Sequence, residues 1–414
     1  MTIIQFTSIS TGGAGVEVMN MHRDLIHLGH DSYVINRGKY ILDKCNKKIP
    51  LKGVSLYIGK FFRLINRLIL NKIHIDNMYA PYNLYERFLC YNVHKILQQI
   101  PQKPDIIFIK WASNFSNAQF IARLKQKTAA KIVISLIDQA PLTGGCHYPN
   151  NCQQYTKGCM DCPMSSAIYL KHCIRRNFKY KQHYLPKDVL VWVGSTGDEE
   201  LVRNSLLFKN HKVIKNLLTV DADLFLPVSK SIAKSLWGID STKKVILCGS
   251  SNIKESRKGM NYLVKALKEV KNKNFILFLI GNETLPDIEC EHIHVGYLTQ
   301  EKLISAYQAA DVFVCPSIAD SGPLMINQSI MVGTPVVSFP IGVSKDIVHT
   351  METGYLAALC DSKDLANGID IILNLSDEEY EEVSNNCRKF ALNHYGTHNS
   401  KSCLNLFLER IMHS

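Results

Sequence analysis

The stretch Ala310–Gly342, ADVFVCPSIADSGPLMINQSIMVGTPVVSFPIG, sets two short apolar runs on either side of an acidic loop and a helix-like segment. Asp311–Pro316 and Pro335–Phe339 are rich in β-branched residues and almost free of charge, the composition of strands in a parallel sheet covered on both faces. The intervening segment predicts a helix starting at Pro323. Proline lacks the amide hydrogen that a first helical residue leaves unpaired, and Ser321 or Gly322 can serve as N-cap. The free N–H groups of that first turn, Leu324 included, carry partial positive charge and suit a phosphate.

Upstream, Val245–Leu267 (VILCGSSNIKESRKGMNYLVKAL) reads as a buried strand, a small-residue turn, a basic tip and an amphipathic helix. Gly249, Ser250 and Ser251 lack bulk and let backbone approach a phosphate, while Arg257 and Lys258 can neutralise a diphosphate. An Arg-Lys-Gly tip elsewhere would be a solvated loop; its place between strand and helix favours binding. Phe275–Gly281 is another buried strand, and His292–Ala310 runs through strand, turn and helix. This alternation predicts an α/β chain with parallel sheets.

The N-terminal half opens in the same way, with a strand Ile3–Ser8, the turn Thr11-Gly12-Gly13-Ala14-Gly15 and a helix pattern through Val16, Met19, Leu25 and Leu28. A glycine turn entering a helix suits a sugar or diphosphate, and it equally permits a tight strand-to-helix turn. Ile132–Ile137 is a further strand, ending at Asp138.

The acidic loop after Pro-Ser, the Gly-Thr-Pro-Val-Val strand and Lys258-Gly259 together resemble the donor site of retaining GT-B glycosyltransferases of group 1, family 4. The resemblance covers most of the chain, strongest over 243–356 and weakest over 35–105. It implies a GT-B fold: two Rossmann-like domains facing across a cleft, with a C-terminal helix crossing back to the first domain. The family's paired glutamates, seven residues apart, fall on Asp320 and Gln328. By resemblance Asp320 positions the donor hexose, Gln328 bonds the ribose hydroxyls, and Arg257 with Lys258 stabilises the leaving diphosphate. Gly13 approaches the diphosphate, and backbone around Gly296 and Leu298 meets the base, which leaves uridine and guanosine donors both open. Many members carry His-Asp where this chain has Ile137-Asp138. Asp138 can still orient an acceptor or sugar hydroxyl, and His147 either compensates or has a structural or metal-binding role.

The function implied by the resemblance is transfer of a hexose, with retention, from a UDP- or GDP-sugar to a saccharide or polyprenyl-diphosphate-linked acceptor in surface-polysaccharide biosynthesis. No metal ion is needed for that chemistry. The departures at Ile137, Asp320 and Gln328 leave a noncatalytic GT-B scaffold, or a regulatory partner of another transferase, as the alternative.

With 414 residues, 46% of them apolar, the chain has the size of two domains. The expected limits are 1–187, 188–390 and a returning helix at 391–414. No apolar run approaches the roughly 20 residues that span a bilayer, and Met1–Ser8 reads as a strand, so the expected location is cytoplasmic. The thirteen cysteines are then mainly thiols. Cys146, Cys152, Cys159 and Cys162 follow one another closely and could complete a structural zinc site, free thiols and disulfides being the alternatives.

Residues 1–185 carry 25 Lys and Arg against 9 Asp and Glu, and the remainder 23 against 27. Within the basic half, Tyr57–Lys72 interleaves apolar residues with Lys60, Arg63, Arg67 and Lys72. That pattern fits peripheral contact with an anionic inner-leaflet membrane, or an ordinary domain helix. Nucleic acid is not expected, since no recognition motif accompanies the charge.

Overall fold

The computed structural model describes the chain except residues 9–11, 38, 51–54, 77–78, 80, 82–85, 89–90, 111–112, 114, 251 and 286. It divides into two units: Met1–Gly194 with Asp198–Asn216 and Leu406–Ser414, and Ser195–Gly197 with Leu217–Asn405.

The first unit is built on eight strands: β1 (Thr2–Thr7), β2 (Asp31–Asn36), β3 (Tyr40–Leu42), β4 (Lys48–Pro50), β5 (Ile106–Ile109), β6 (Lys131–Ser135), β7 (Leu190–Val193) and β8 (Val213–Lys215). Their order is β4-β3-β2-β1-β5-β6-β7-β8. All pairings are parallel except those of β2 with β3 and β3 with β4. The central strands are apolar on both faces because helices cover both, and Ile4, Phe6, Ile107 and Phe108 are completely buried. Aromatic contacts lock one layer, with the Phe6 ring 5.4 Å from Phe120 and 5.7 Å from Phe115.

The second unit contains β9 (Lys244–Gly249), β10 (Phe275–Ile280), β11 (His292–His294), β12 (Val312–Cys315), β13 (Val336–Ser338) and β14 (Gly354–Leu356). All six are parallel, in the order β11-β10-β9-β12-β13-β14. Renumbered from β9, this is the 3-2-1-4-5-6 order of dinucleotide-binding folds. The order reverses between β9 and β12, so ligands of such sheets are received outside the carboxyl ends of these two strands. Alternate residues of each strand face opposite ways: Val245 and Leu247 enter one core, Ile246 and Cys248 the other.

Two expected limits differ. Leu190–Val193 does not open the second unit; it pairs with β6, Val133 opposite Leu190, and the second unit, Ser195–Gly197 apart, begins at Leu217. A short buried apolar run presents the same ladder edges to any sheet, so its partner is not written in the run itself. At the other end, helix Asp377–His394 stays in the second unit. There Arg388 donates to the carbonyls of Ala222, Phe225 and Met331 at 2.9, 2.7 and 2.7 Å. The return to the first unit, expected from 391, is made by Leu406–Ser414, where Phe407 lies 4.8 Å from the Trp192 ring. Among the described residues no helix is long and apolar enough to cross a membrane.

Candidate functional site

Three sequence segments meet at the carboxyl ends of β9, β10 and β12. Gly249 closes β9, and a Cβ there would fall 2.7 Å from the Ile280 carbonyl oxygen, so the position admits no side chain without a shift of β10. Gly259 has φ of +66°, and its Cβ would stand 1.8 Å from the Pro316 carbonyl oxygen. The Lys258-Gly259 pair therefore has a geometric cause. Only glycine lets the helix Met260–Glu269 start hard against the chain leaving β12, which delivers Arg257 and Lys258 to the acidic loop.

There, both cations reach one oxygen. Asp320 Oδ2 accepts from Lys258 Nζ at 2.6 Å and from Arg257 Nη1 at 2.9 Å, with the three side chains only 10–16% exposed. Arg257 Nη2 also lies 2.6 Å from Glu255 Oε2. The loop is stitched to the basic tip by backbone as well, since Ile318 N–H donates to the Arg257 carbonyl at 2.8 Å. Burial pushes the Asp320 carboxyl up. Lys258 and Arg257, together with the Gly322 N–H, outweigh it and hold the group below the usual carboxylate range. Asp320 is thus an ionised carboxylate seated between two fixed cations, and those cations are preset for an anionic ligand.

The helix after the loop is Leu324–Met331, with Pro323 as its N-cap and not, as expected, its first residue. Its ψ of 113° is outside the helical range, so the turn starts one residue later with no side-chain cap. Gln328, expected at the ribose hydroxyls, has one end of its amide bonded within the protein. The side chain is 9% exposed and its Oε1 accepts the hydroxyl of the buried Tyr307 at 3.0 Å, which commits the carbonyl end of the amide to the core. Ser250 N–H donates to Ile280 at 3.1 Å, and Gly296, φ +67°, accepts from Gly281 N–H at 3.0 Å, which sets both beside the ends of β9 and β10. Leu298 is half-buried against the second core. Ser251 lies outside the described residues.

In the first unit, Gly13 sits in the first turn of the helix Gly12–His27. Asp138 follows β6; its Oδ1 accepts the Ala140 N–H at 3.2 Å and its Oδ2 is bonded to His147 Nδ1. The carboxylate thereby orients the imidazole. Asp138 also lines a cavity of about 50 Å³ with Glu86, Lys110, Asn117 and Lys181. Lys110 lies 2.6 Å from Glu17 and Lys181 3.2 Å from Glu86. Burial pushes the Lys110 ammonium pKa down against the pull of Glu17, and pushes the Glu86 carboxyl up against that of Lys181. These four residues were missed by sequence reasoning. Their signal was the rarity of acids in this half and a lysine directly after the apolar run Ile106–Ile109.

The zinc expectation is not supported by the geometry. Cys146, Cys152, Cys159 and Cys162 all line one cavity of about 10 Å³, but among the described residues no group of three or more His, Cys, Asp or Glu is set to hold a metal ion. Burial pushes the Cys159 thiol up to about 12 and Cys146 higher, as expected of thiols enclosed in apolar packing. Backbone packing explains the convergence: a Cβ on Gly144 or Gly145 would run into Ile174, so the cysteine segment lies flush on the helix Ile168–Tyr184.

Residues 230–390 match the family model of glycosyl transferases group 1. Among curated proteins, an uncharacterized glycosyltransferase of Methanocaldococcus jannaschii is 24% identical over 187 residues, 42% of this chain and 47% of that protein. D-inositol 3-phosphate glycosyltransferase of Mycolicibacterium smegmatis is 25% identical over 178 residues, 40% of each. The matches thus span less than half the length of these relatives. Solved structures with the same fold include sucrose-phosphate synthase from Thermosynechococcus elongatus, with TM-score 0.67, 15% identity and 99% of both chains covered. HepE of Anabaena, in complex with UDP and glucose, aligns with TM-score 0.62 and 14% identity over 99% of both chains. The Arg257–Lys258–Asp320 cluster therefore lies within the segment that is similar to group 1 glycosyl transferases, and the chain as a whole has the two-domain α/β fold of GT-B glycosyltransferases.

Proposed function

We propose that this protein is a retaining hexosyltransferase that takes its sugar from a UDP- or GDP-sugar held by the second unit and delivers it to a saccharide or polyprenyl-diphosphate-linked saccharide. Its place would be surface-polysaccharide biosynthesis, in the cytoplasm at the inner face of the membrane. The observation that carries the donor reading is the pair of cations on Asp320 at the reversal point of the second sheet. Two fixed positive groups beside small-residue backbone suit a diphosphate, which would take over the cations and release the Asp320 carboxylate to hydroxyls of the adjoining sugar. As the diphosphate leaves, Arg257 and Lys258 meet its growing charge. Attack comes from the face of departure, and an oxygen of the leaving phosphate accepts the acceptor's proton. Loss of one such charge-stabilising group costs on the order of 3 kcal/mol, or roughly a hundredfold in rate. Asp138 and His147 are assigned to the acceptor: Asp138 orients the imidazole and itself lines the first unit's cavity.

The test is thermal stability of the protein with UDP, GDP and their sugars, beside Lys258→Ala. Saturation at about 100 times the dissociation constant stabilises by roughly 2.7 kcal/mol. A shift with one nucleotide, lost in the variant, supports the reading and names the donor class. No shift with any of them sinks it and leaves the noncatalytic scaffold.

A further inference from the structure

The cavity off the carboxyl ends of β5 and β6 has two unlike linings. Ile109, Ile121, Ile134 and Phe208, all buried, form the apolar one with the half-buried Leu185. Glu86, Ser116 and Asp138 belong to the polar one. Asn117 explains how residues distant in sequence come to share it. Its Oδ1 caps the helix Ala118–Lys127 by accepting the Phe120 N–H at 2.8 Å, and its Nδ2 donates to the Glu86 carbonyl at 2.8 Å.

Two polar groups of this lining are incomplete. The Ser116 hydroxyl, in a residue 2% exposed, has no hydrogen-bond partner among the described residues. Glu86 is 3% exposed, and beyond the ion pair with Lys181 at 3.2 Å its Oε2 has no partner among them either. Buried oxygens are seldom left so, because each has lost its bonds to water and gained none in exchange. The charged neighbours are already engaged. Lys181 donates to the carbonyls of Ala140 and Thr143, both at 2.8 Å, Lys110 is paired with Glu17, and both oxygens of Asp138 are bonded, to the Ala140 N–H and to His147. What remains for a ligand is a hydroxyl that can donate, a carboxyl oxygen that can accept, and an apolar surface.

Size narrows the choice. At about 50 Å³ the cavity has room for roughly three to five waters, which suits a substituent and not a whole sugar ring. A carboxylate or phosphate substituent would meet Glu86 and Asp138 while the lysines are committed elsewhere. A hydroxymethyl group would leave the apolar lining uncovered. An acetamido group uses every part: its carbonyl accepts from Ser116, its N–H donates to Glu86, and its methyl lies on the isoleucines. We propose that this cavity is a subsite for the acetamido group of an N-acetylated acceptor sugar. The inference rests on the assignment of the acceptor to the first unit and narrows that acceptor to a substrate class.

The full chain is to be titrated with the methyl glycosides of N-acetylated hexosamines, of the free hexosamines and of the parent hexoses, in the gluco and galacto series. In one series the acetamido sugar should bind at least about tenfold more tightly than the other two. Ser116→Ala removes a hydroxyl that no described residue needs, and should reduce that preference by roughly fivefold to tenfold. Ala118→Leu fills the cavity from the helix and should abolish it. Melting temperatures verify that the variants fold. Undetectable or equal binding of the three sugar types overturns the proposal, as does a preference that neither folded variant reduces. Tighter binding of the free amine also overturns it, by assigning Glu86 and Asp138 to an ammonium. The same samples are titrated with UDP and GDP. A nucleotide response without acetamido selectivity removes this subsite and leaves the transfer reading intact, whereas selectivity without a nucleotide response removes transfer and keeps the subsite.

Discussion

Lys258 Nζ stands 2.6 Å from Asp320 Oδ2, closing a contact across 62 residues of sequence. Because Arg257 binds the same oxygen, the two cations that would hold a diphosphate are both engaged by one anion of the protein's own.

Asp320→Asn therefore has opposite effects on two ligands. Without the competing carboxylate the cations are open, and the plain nucleoside diphosphate should bind roughly threefold to tenfold more tightly, about 1 kcal/mol. The nucleotide-sugar loses its hydroxyl partner, and transfer should fall about a hundredfold. Calorimetric titration beside a turnover assay reads both. Weaker diphosphate binding in the variant would show that Asp320 does not compete for the cations.

Asp138 holds His147 through Nδ1, so the imidazole is pre-aimed without help from residue 137. His147→Ala should lower turnover by about a hundredfold, the usual cost of a misplaced acceptor, and leave nucleotide affinity unchanged. A loss confined to nucleotide affinity would remove His147 from the acceptor side.

Two glycines with similar backbone angles separate strain from collision. At Gly29, φ +80°, an added Cβ would meet nothing within 4 Å, whereas at Gly259 it would meet the Pro316 carbonyl. Gly29→Ala should cost about 1 kcal/mol in urea unfolding, the left-handed backbone penalty alone. Gly259→Ala should cost at least about 3 kcal/mol and weaken diphosphate binding, since the helix start carrying Lys258 must move. Equal costs would mean that the close approach to Pro316 is relaxed in solution.

Lys230 is enclosed, donating to Thr334 Oγ1 at 3.2 Å, and burial pushes its ammonium down to about 8 from 10.5. Between those values the unfolded chain holds a proton that the folded chain has lost, so this group's contribution makes stability rise with pH from about 8 to 10.5. The rise is on the order of 3 kcal/mol. Urea unfolding of wild type minus Lys230→Met across that range should show it, and a flat difference would mean that Lys230 titrates normally.

Much of this molecule can be read locally. Phe275–Ile280 has no polar side chain to leave in water, so it must be a covered strand, and it is one. Lys258-Gly259 announces a strand-to-helix turn because few residues tolerate its backbone. The cysteines are less legible for a related reason: close spacing in sequence specifies that thiols are near one another, while ligand geometry depends on how Gly144 and Gly145 settle on Ile174.

By itself the sequence determined the periodicities, and with them two wound α/β sheets, the basic tip after β9 and the acidic loop after β12. Only the tertiary structure decided that Leu190–Val193 joins the first sheet, that Tyr307 takes the carbonyl end of Gln328, and that Asp320 lies between Lys258 and Arg257. The reason is physical. Local propensity and hydrophobic period act over a few residues, whereas a buried strand edge, amide or carboxylate must find a partner and takes whichever one the packing brings within about 3 Å.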